Sequence, residues 1–327
     1  MITNQLLYQL SHTSNPPNEI IIAPGGGFVN RGNAKIGVLY MDLCNRANIR
    51  ALMEEAGITF RKEYGQNFLV NPDIPCNIAD MCADEKETTI LEIGPGIGCL
   101  TAELAKRYRR VVAVEIDRGL IPVLEKTVGL YDNVTVINAD IMKTELRRLV
   151  ADYAPDGRIS VCANLPYYIT TPILMYLLES DVCFGSVTVM VQKEVADRLT
   201  AAPGSSDYGA ITAAIGYYGT VRRLFRVPAS SFVPAPKVDS AVVRIDMYRE
   251  PAYKPKDREL FFSLIRAAFE MRRKTLANAV NAKIPRYSKE CVSAALVSLG
   301  FDPSVRGERL STADFSNLAD ELIKYNS

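Results

Sequence analysis

The chain has 327 residues, of which 48% are hydrophobic and 23% charged, the composition of an ordinary globular protein. Its one histidine, His12, excludes hydrolases that depend on imidazole and metal centres rich in histidine. Seven cysteines without a C-x-x-C pattern predict reduced thiols, neither a disulfide framework nor a zinc site. The sequence has no apolar run long enough to span a bilayer and no signal pattern, so we expect a cytoplasmic protein.

The charge is distributed unevenly along the chain. The net charge of +1 is the sum of −5 over residues 1–200 and +6 over residues 201–327. A basic C-terminal third predicts a polyanionic partner that touches one end of the molecule.

The N-terminal residues 1–40 are rich in turn and linker residues, and only "EIII" (19–22) can pair as a strand. We expect them to form a weakly structured extension outside the working fold. After Met41, "NRANIRALMEEAG" (45–57) predicts an amphipathic helix that ends at Gly57.

From residue 88 onwards, short runs rich in β-branched residues alternate with helical patterns. This alternation predicts right-handed βαβ units and an α/β fold with a doubly wound, mostly parallel sheet. The predicted strands are residues 88–94, 110–117, 133–140, 158–164 and 186–192, and the predicted helices are 99–108, 120–128 and 171–180.

The end of the chain changes character. Residues 220–228 and 240–248 predict two antiparallel strands that complete the sheet, and the Pro-rich segment 249–259 predicts a domain junction. Only helical patterns follow, at 259–270, 273–280, 289–300 and 311–325. We therefore expect three parts: the extension 1–40, a sheet domain 41–250 and a small all-helical, RNA-binding domain 251–327.

Three predicted strands end in residues suited to a nucleotide-like ligand. Gly94, Gly96 and Gly98 follow the first strand, where glycines permit a tight turn and close approach of a ligand. Glu115 ends the second strand and suits ribose hydroxyls, and Asp140 ends the third, where it could accept from an adenine amine. A structural turn and helix N-caps explain each feature singly, but their common position at one sheet edge favours a binding site. A nicotinamide dehydrogenase and an S-adenosylmethionine (SAM) methyltransferase both remain possible.

The segment "NLPY" (164–167) favours the methyltransferase. The exocyclic nitrogen of adenine is a poor nucleophile, and the Asn164 side-chain oxygen and the Leu165 carbonyl would accept its two N–H groups. Pro166 restrains that carbonyl, and the Tyr167 ring can stack on the base. Such a site needs positioning and fixed dipoles, and no histidine base.

Seven motifs together resemble the KsgA-type rRNA adenine dimethyltransferases over about residues 42–327. They are "YGQNFLVNP", "ILEIGPGIGCLTAEL", "VAVEID", "NAD", "NLPYYITTPIL", "VQKEVADRL" and "SFVPAPKVDSAVVRI", in the family's order. The resemblance implies SAM-dependent N6,N6-dimethylation of two adjacent adenosines near the 3′ end of 16S rRNA, during ribosome biogenesis. It also implies SAM contacts at Asn67, Leu69, Gly94, Glu115, Asp140 and Asn164, and an adenine stacked between Tyr167 and Phe232.

Basic residues of the C-terminal third are the candidates for binding rRNA in the immature small subunit. They are Arg222, Arg223, Arg226, Lys237, Arg272, Arg273 and Lys274, the last three at the start of a predicted helix. We expect no metal and a monomer. The alternatives are an Erm-type 23S rRNA adenine-N6 methyltransferase and a non-catalytic ribosome-assembly factor on the same fold.

Overall fold

An eight-stranded sheet forms the centre of the molecule. The computed structural model describes residues 21–22, 41–58 and 67–325. The sheet order is β1-β5-β4-β3-β6-β7-β10-β8, and β2 and β9 form a separate pair. The strands are β1 (Ile21–Ile22), β2 (Phe68–Leu69), β3 (Thr89–Ile93), β4 (Arg110–Glu115), β5 (Val134–Asn138), β6 (Ile159–Asn164), β7 (Ser186–Gln192), β8 (Gly219–Val227), β9 (Phe232–Val233) and β10 (Ser240–Met247).

The five central strands, β5-β4-β3-β6-β7, are all parallel, and β10 and β8 continue the sheet antiparallel. The chain moves outward from β3 to β5 on one side and then crosses back to β6 on the other. The strand order therefore reverses between β3 and β6, and ligands of such sheets bind at the carboxyl ends near this point. The predicted α/β, doubly wound, mostly parallel sheet is confirmed.

Helices cover both faces of the sheet. One buried cluster contains Leu52, Ile78 and Leu124, and the other contains Leu149, Leu177 and Leu199. The helices are α1 (Arg46–Glu55), α2 (Asp73–Met81), α3 (Cys99–Ala105), α4 (Ile121–Thr127), α5 (Leu146–Tyr153), α6 (Thr170–Glu179), α7 (Lys193–Leu199), α8 (Ala210–Tyr218), α9 (Arg258–Glu270), α10 (Leu276–Lys283), α11 (Lys289–Ser298) and α12 (Thr312–Ile323). Within the described residues, no helix has both the length and the apolar character needed to cross a membrane.

The predicted strand in "EIII" is found at Ile21–Ile22. It pairs antiparallel with β5, Ile21 opposite Ile137 and Ile22 opposite Val136. The expectation that residues 1–40 form a weakly structured extension otherwise falls outside the described residues.

The C-terminal helices surround a third buried cluster that includes Phe261, Leu264 and Phe315. This cluster also includes Tyr208 and Tyr217, which precede the predicted junction at 249–259. Because Tyr217 belongs to α8, the helical region packs on the sheet domain through that helix. The boundaries 41–250 and 251–327 stay a prediction.

One predicted helix begins later than expected. The side chain of Thr275 accepts a hydrogen bond from the backbone N–H of Asn278, so α10 starts at Leu276. Arg272, Arg273 and Lys274 consequently lie in the turn between α9 and α10, which corrects their predicted place at a helix start.

Candidate functional site

A cleft of about 880 Å³, part of it open to solvent, lies at the carboxyl ends of β3, β4 and β6. It therefore occupies the point where the strand order reverses. Its lining includes these predicted site residues: Asn67, Leu69, Gly94, Gly96, Glu115, Asn164, Leu165, Pro166 and Tyr167.

The glycine-rich turn after β3 forms one wall of the cleft. Gly94 and Gly96 have φ angles of 69° and 62°, in the left-handed region that side chains disfavour. A Cβ on Gly96 would lie 3.2 Å from the ring of Phe68, so the close contact with β2 also favours glycine. Gly98, with φ of 92°, precedes α3.

Glu115 holds this turn in place. Its Oε2 accepts a hydrogen bond from the backbone N–H of Gly96 at 3.2 Å, and its Oε1 accepts from the N–H of Asp117 at 2.8 Å. The side chain is buried, and this burial raises the pKa of Glu115 to about 7. A donor from a ligand would find both carboxylate oxygens in the cleft, already oriented by backbone groups.

Glu92, the fourth residue of "TILEI", is a cleft residue that sequence reasoning missed. It is 1% exposed, and its Oε2 has no hydrogen-bond partner among the described residues. Burial raises the pKa of Glu92 to about 8, and the negative charge of Glu115 adds to the increase. An interaction with the Thr101 side chain opposes this increase. A buried carboxyl with one unbonded oxygen is still costly, so this one fits a site that receives a cationic ligand.

The pairing of β2 with β9 brings the segment before the first parallel strand to the cleft. Leu69 pairs with Phe232, and the N–H of Val70 donates to the carbonyl of Ser231 at 2.8 Å. Asn67 then lies beside Asn164, whose Nδ2 donates to the Asn67 carbonyl at 3.5 Å.

Two hydrogen-bond acceptors of the "NLPY" segment, on Asn164 and Leu165, have no donor among the described residues. None of the described residues donates to Oδ1 of Asn164 or to the carbonyl of Leu165. Leu165 is only 1% exposed, and both residues line the cleft. Asn164 is half-buried, whereas Leu165 is buried and its carbonyl calls for a donor, so the two neighbouring acceptors suit a ligand that donates two hydrogen bonds.

Tyr167 forms the adjoining wall of the cleft. Its hydroxyl is 2.7 Å from the Ser240 hydroxyl at the start of β10, and burial raises the pKa of Tyr167. The Pro166 carbonyl accepts from Ile169 N–H at 3.2 Å and from the Thr170 hydroxyl at 3.1 Å. The ring and the turn beneath it are therefore fixed in position.

Two predicted site residues do not line the cleft. Asp140 caps the short turn that follows β5, with its Oδ1 accepting from Met142 N–H at 3.0 Å. Phe232 is 1% exposed and packs in the core beneath β2. Their roles toward an adenine amine and toward a flipped base stay predictions, and stacking on Phe232 would require its ring to be uncovered.

The predicted RNA-binding cations divide into two groups. In the first group, three arginines lie on the edge strand β8 and a fourth arginine follows α9. All four are held by carboxylates: Arg222 by Asp246, Arg223 by Asp197, Arg226 by Asp239 and Arg272 by Glu308. Lys237, Arg273 and Lys274 are exposed, and within the described chain they form no ion pair. Of the seven predicted cations, these three are the ones left available to a polyanion.

The described residues contain no cluster of three or more His, Cys, Asp or Glu side chains that could hold a metal ion.

Comparisons with known proteins identify the family of the chain. The family model for ribosomal RNA adenine dimethylase matches residues 57–324. Proteins named ribosomal RNA small subunit methyltransferase A are 42% identical in Anoxybacillus flavithermus and 45% identical in Streptococcus pneumoniae. The matches cover 87% and 86% of this chain and 97% and 98% of those proteins.

Two solved structures also resemble this chain over most of its length. A dimethyladenosine transferase from Plasmodium falciparum aligns with a TM-score of 0.66 and 26% identity, over 78% of this chain and 97% of that one. The 23S rRNA methyltransferase ErmE aligns with a TM-score of 0.62 and 27% identity, over 79% and 100%. The chain therefore belongs to the ribosomal RNA adenine dimethylase family of methyltransferases.

Proposed function

We propose that this enzyme uses SAM to dimethylate N6 of two adjacent adenosines near the 3′ end of small-subunit (16S) rRNA, during ribosome biogenesis. The single observation that carries the adenine specificity is the pair of unbonded acceptors at Asn164 and Leu165 beside the Tyr167 ring. The choice of the small subunit is supported by the names of relatives that are 42–45% identical.

The residues of the cleft fit SAM. Gly96 leaves room where a side chain would meet Phe68, and Glu115 presents oriented oxygens that suit ribose hydroxyls. The unbonded Oε2 of Glu92 suits the positive charge that this cofactor carries. Asn67, Leu69 and Gly94 would complete its wall. Asp140, in the turn after β5 and outside the cleft lining, stays the predicted acceptor for the adenine amine of the cofactor.

The bound cofactor supplies an activated methyl group on a positively charged sulfur. The chain positions the target amine for it. Oδ1 of Asn164 and the Leu165 carbonyl would accept its two N–H groups, so that the nitrogen lone pair is directed out of the ring plane. The Asn67 carbonyl holds Nδ2 of Asn164 and so sets which side of the amide accepts. The methylated nitrogen is acidic, so its proton can leave to solvent without a histidine.

The target adenosine has to leave its stack to reach this cleft. A stack on the Tyr167 ring contributes about 1–3 kcal/mol toward that cost. The hydrogen bond to Ser240 and the turn at Pro166 keep the ring in place, which lowers the entropy lost on binding.

The three free cations are expected to carry the contacts with rRNA phosphates. Replacing Lys237, Arg273 and Lys274 by Ala should weaken RNA binding and lower the slope of log Kd against log salt by about 0.7–0.9 for each lost contact. Replacing Arg222, Arg223 and Arg226 by Ala is the matched control and should change the slope less, because each guanidinium is already paired with a carboxylate. Equal changes in the two variants would refute the division between free and paired cations.

An Erm-type 23S rRNA methyltransferase is the second candidate, because ErmE shares the fold at 27% identity. Purified small and large subunits that lack the modification, incubated separately with labelled SAM, distinguish the two. We expect label in two adjacent adenosines of the small subunit. Label confined to the large subunit would establish the Erm-type activity, and binding without label would establish a non-catalytic assembly factor. We further propose that the enzyme acts in the cytoplasm as a monomer, which light scattering can test.

A further inference from the structure

Tyr168 is an aromatic residue at the rim of the cleft for which the chemistry above has no use. It lines the cleft together with Tyr167, yet 64% of it is exposed. Among the large apolar side chains of the described residues, it is the most exposed. A mostly exposed aromatic ring beside a binding site is suited to stacking against a partner.

The backbone beneath this ring is fixed. Tyr168 lies in the turn between Asn164, which ends β6, and Thr170, which begins α6. The Pro166 carbonyl, two residues before Tyr168, closes the turn by accepting from the Ile169 N–H and the Thr170 hydroxyl, which both follow Tyr168. Because the backbone that carries the ring is already ordered, it loses little freedom when the ring contacts a partner, which favours binding.

The proposed reaction leaves a base that needs this contact. When one adenosine is drawn into the cleft, the nucleotide next to it loses a stacking partner and remains at the rim. Every base has a π-face, so a nearby tyrosine ring can replace the lost stack whatever the base.

We propose that Tyr168 stacks on the nucleotide adjoining the adenosine held against Tyr167, and so aligns the second of two neighbouring targets. The inference rests on the proposed function and adds an RNA-binding residue to it. Lys237, on the loop between Phe232 and the Tyr167 partner Ser240, provides a cation on the segment that reaches the same wall.

The test measures coupling between the ring and the neighbouring base. The probe is a single-stranded rRNA fragment with the two target adenosines, used either intact or with the neighbouring base removed to leave an abasic site. Replacing Tyr168 by Leu should raise Kd for the intact RNA about tenfold, which corresponds to about 1.4 kcal/mol. The same substitution should leave Kd for the abasic RNA unchanged.

Two controls separate stacking from other effects. Tyr168→Phe keeps the ring and should bind both RNAs like the wild type, whereas Tyr325→Leu alters another exposed tyrosine, in the helical region, and should change neither Kd. An equal loss with both RNAs, or no loss with the intact RNA, would overturn the proposal. Methyl transfer by the wild type to small subunits is scored separately: its absence defeats the proposed function, whereas its presence without coupling defeats only the role of Tyr168.

Discussion

Replacing Asn164 by Ala is expected to lower the rate of methyl transfer by about 10²–10³-fold. The amide provides one of two acceptors aimed at the target amine, and loss of one oriented hydrogen-bonding group in a closed site has an effect of this size. The fold should survive, because the Asn164 side chain makes a single hydrogen bond with the described residues, the 3.5 Å contact with the Asn67 carbonyl. The measurement is the single-turnover rate at saturating SAM and small subunits, with the affinity for RNA determined separately.

Asn133→Ala is the matched control for this experiment. Nδ2 of Asn133 donates to the carbonyls of Ala105 and Tyr108 at 2.8 and 2.9 Å, near the opposite end of the sheet. This variant should lose stability and keep its transfer rate, whereas Asn164→Ala should keep its stability and lose most of its transfer rate. A transfer rate within threefold of the wild type in Asn164→Ala would remove the amide from the mechanism.

The strand ends of the site were predictable because parallel strands converge at one edge. Gly94, Glu115 and Asn164 each end a run of β-branched residues, and this regularity places them together before any contact is known. The short helices α2, α5, α7 and α8 were not predicted. They have seven to nine residues, but α3 and α4 have seven each and were predicted, so length alone does not explain the difference.

The sequence could not predict which cations are free. The carboxylates that hold Arg222 and Arg223 are 24 and 26 positions away, and they meet only through the register of β8 with β10 and the placement of α7. The burial of Phe232 could not be predicted either, because it follows from the pairing of β2 with β9. These strands have two residues each, and no local sequence pattern indicates their pairing.

Glu92 was missed for a different reason. A strand buried on both faces reads as a continuous apolar run, so a carboxylate within "TILEI" has no periodic signature of function. The signal that could have found it was chemical, since an unpaired acid is almost never placed in a buried strand without a ligand.

A glutamine at position 92 is expected to stabilise the cofactor-free protein at high pH and to weaken its binding of SAM. The pKa of Glu92 lies near 8 in the folded protein, above its ordinary value of 4.5, because burial disfavours the charged form. Between these two values the folded state holds a proton that the unfolded chain has released. The free energy of unfolding of the wild type therefore falls as pH rises through this window, by about 1.4 kcal/mol per pH unit for this group.

Glu92→Gln removes this dependence and keeps the shape of the side chain. The variant should be more stable than the wild type by several kcal/mol above pH 8 and should differ little near pH 5, as measured by urea unfolding without cofactor. Glu103→Gln is a control in which the change in stability should have the opposite sign, because the pKa of Glu103 is lowered and not raised. Burial raises the pKa of Glu103, but hydrogen bonds from Lys106 and Arg107 outweigh it and lower that pKa. This control should lose a little stability at neutral pH.

Cofactor binding should show the complementary trend. In the wild type, SAM should bind more tightly as pH rises from 6 to 8, because ionised Glu92 attracts its positive charge, and binding in this range should release protons to the buffer. Glu92→Gln should bind SAM more weakly and lose most of this pH dependence, with Glu115, whose pKa is about 7, accounting for what remains. A variant that gains no stability above pH 8 and binds SAM as the wild type does would show that this carboxyl is neither strained nor used by the cofactor. A gain in stability coupled to a loss of affinity would instead mean that the fold tolerates a buried acid because the ligand needs it.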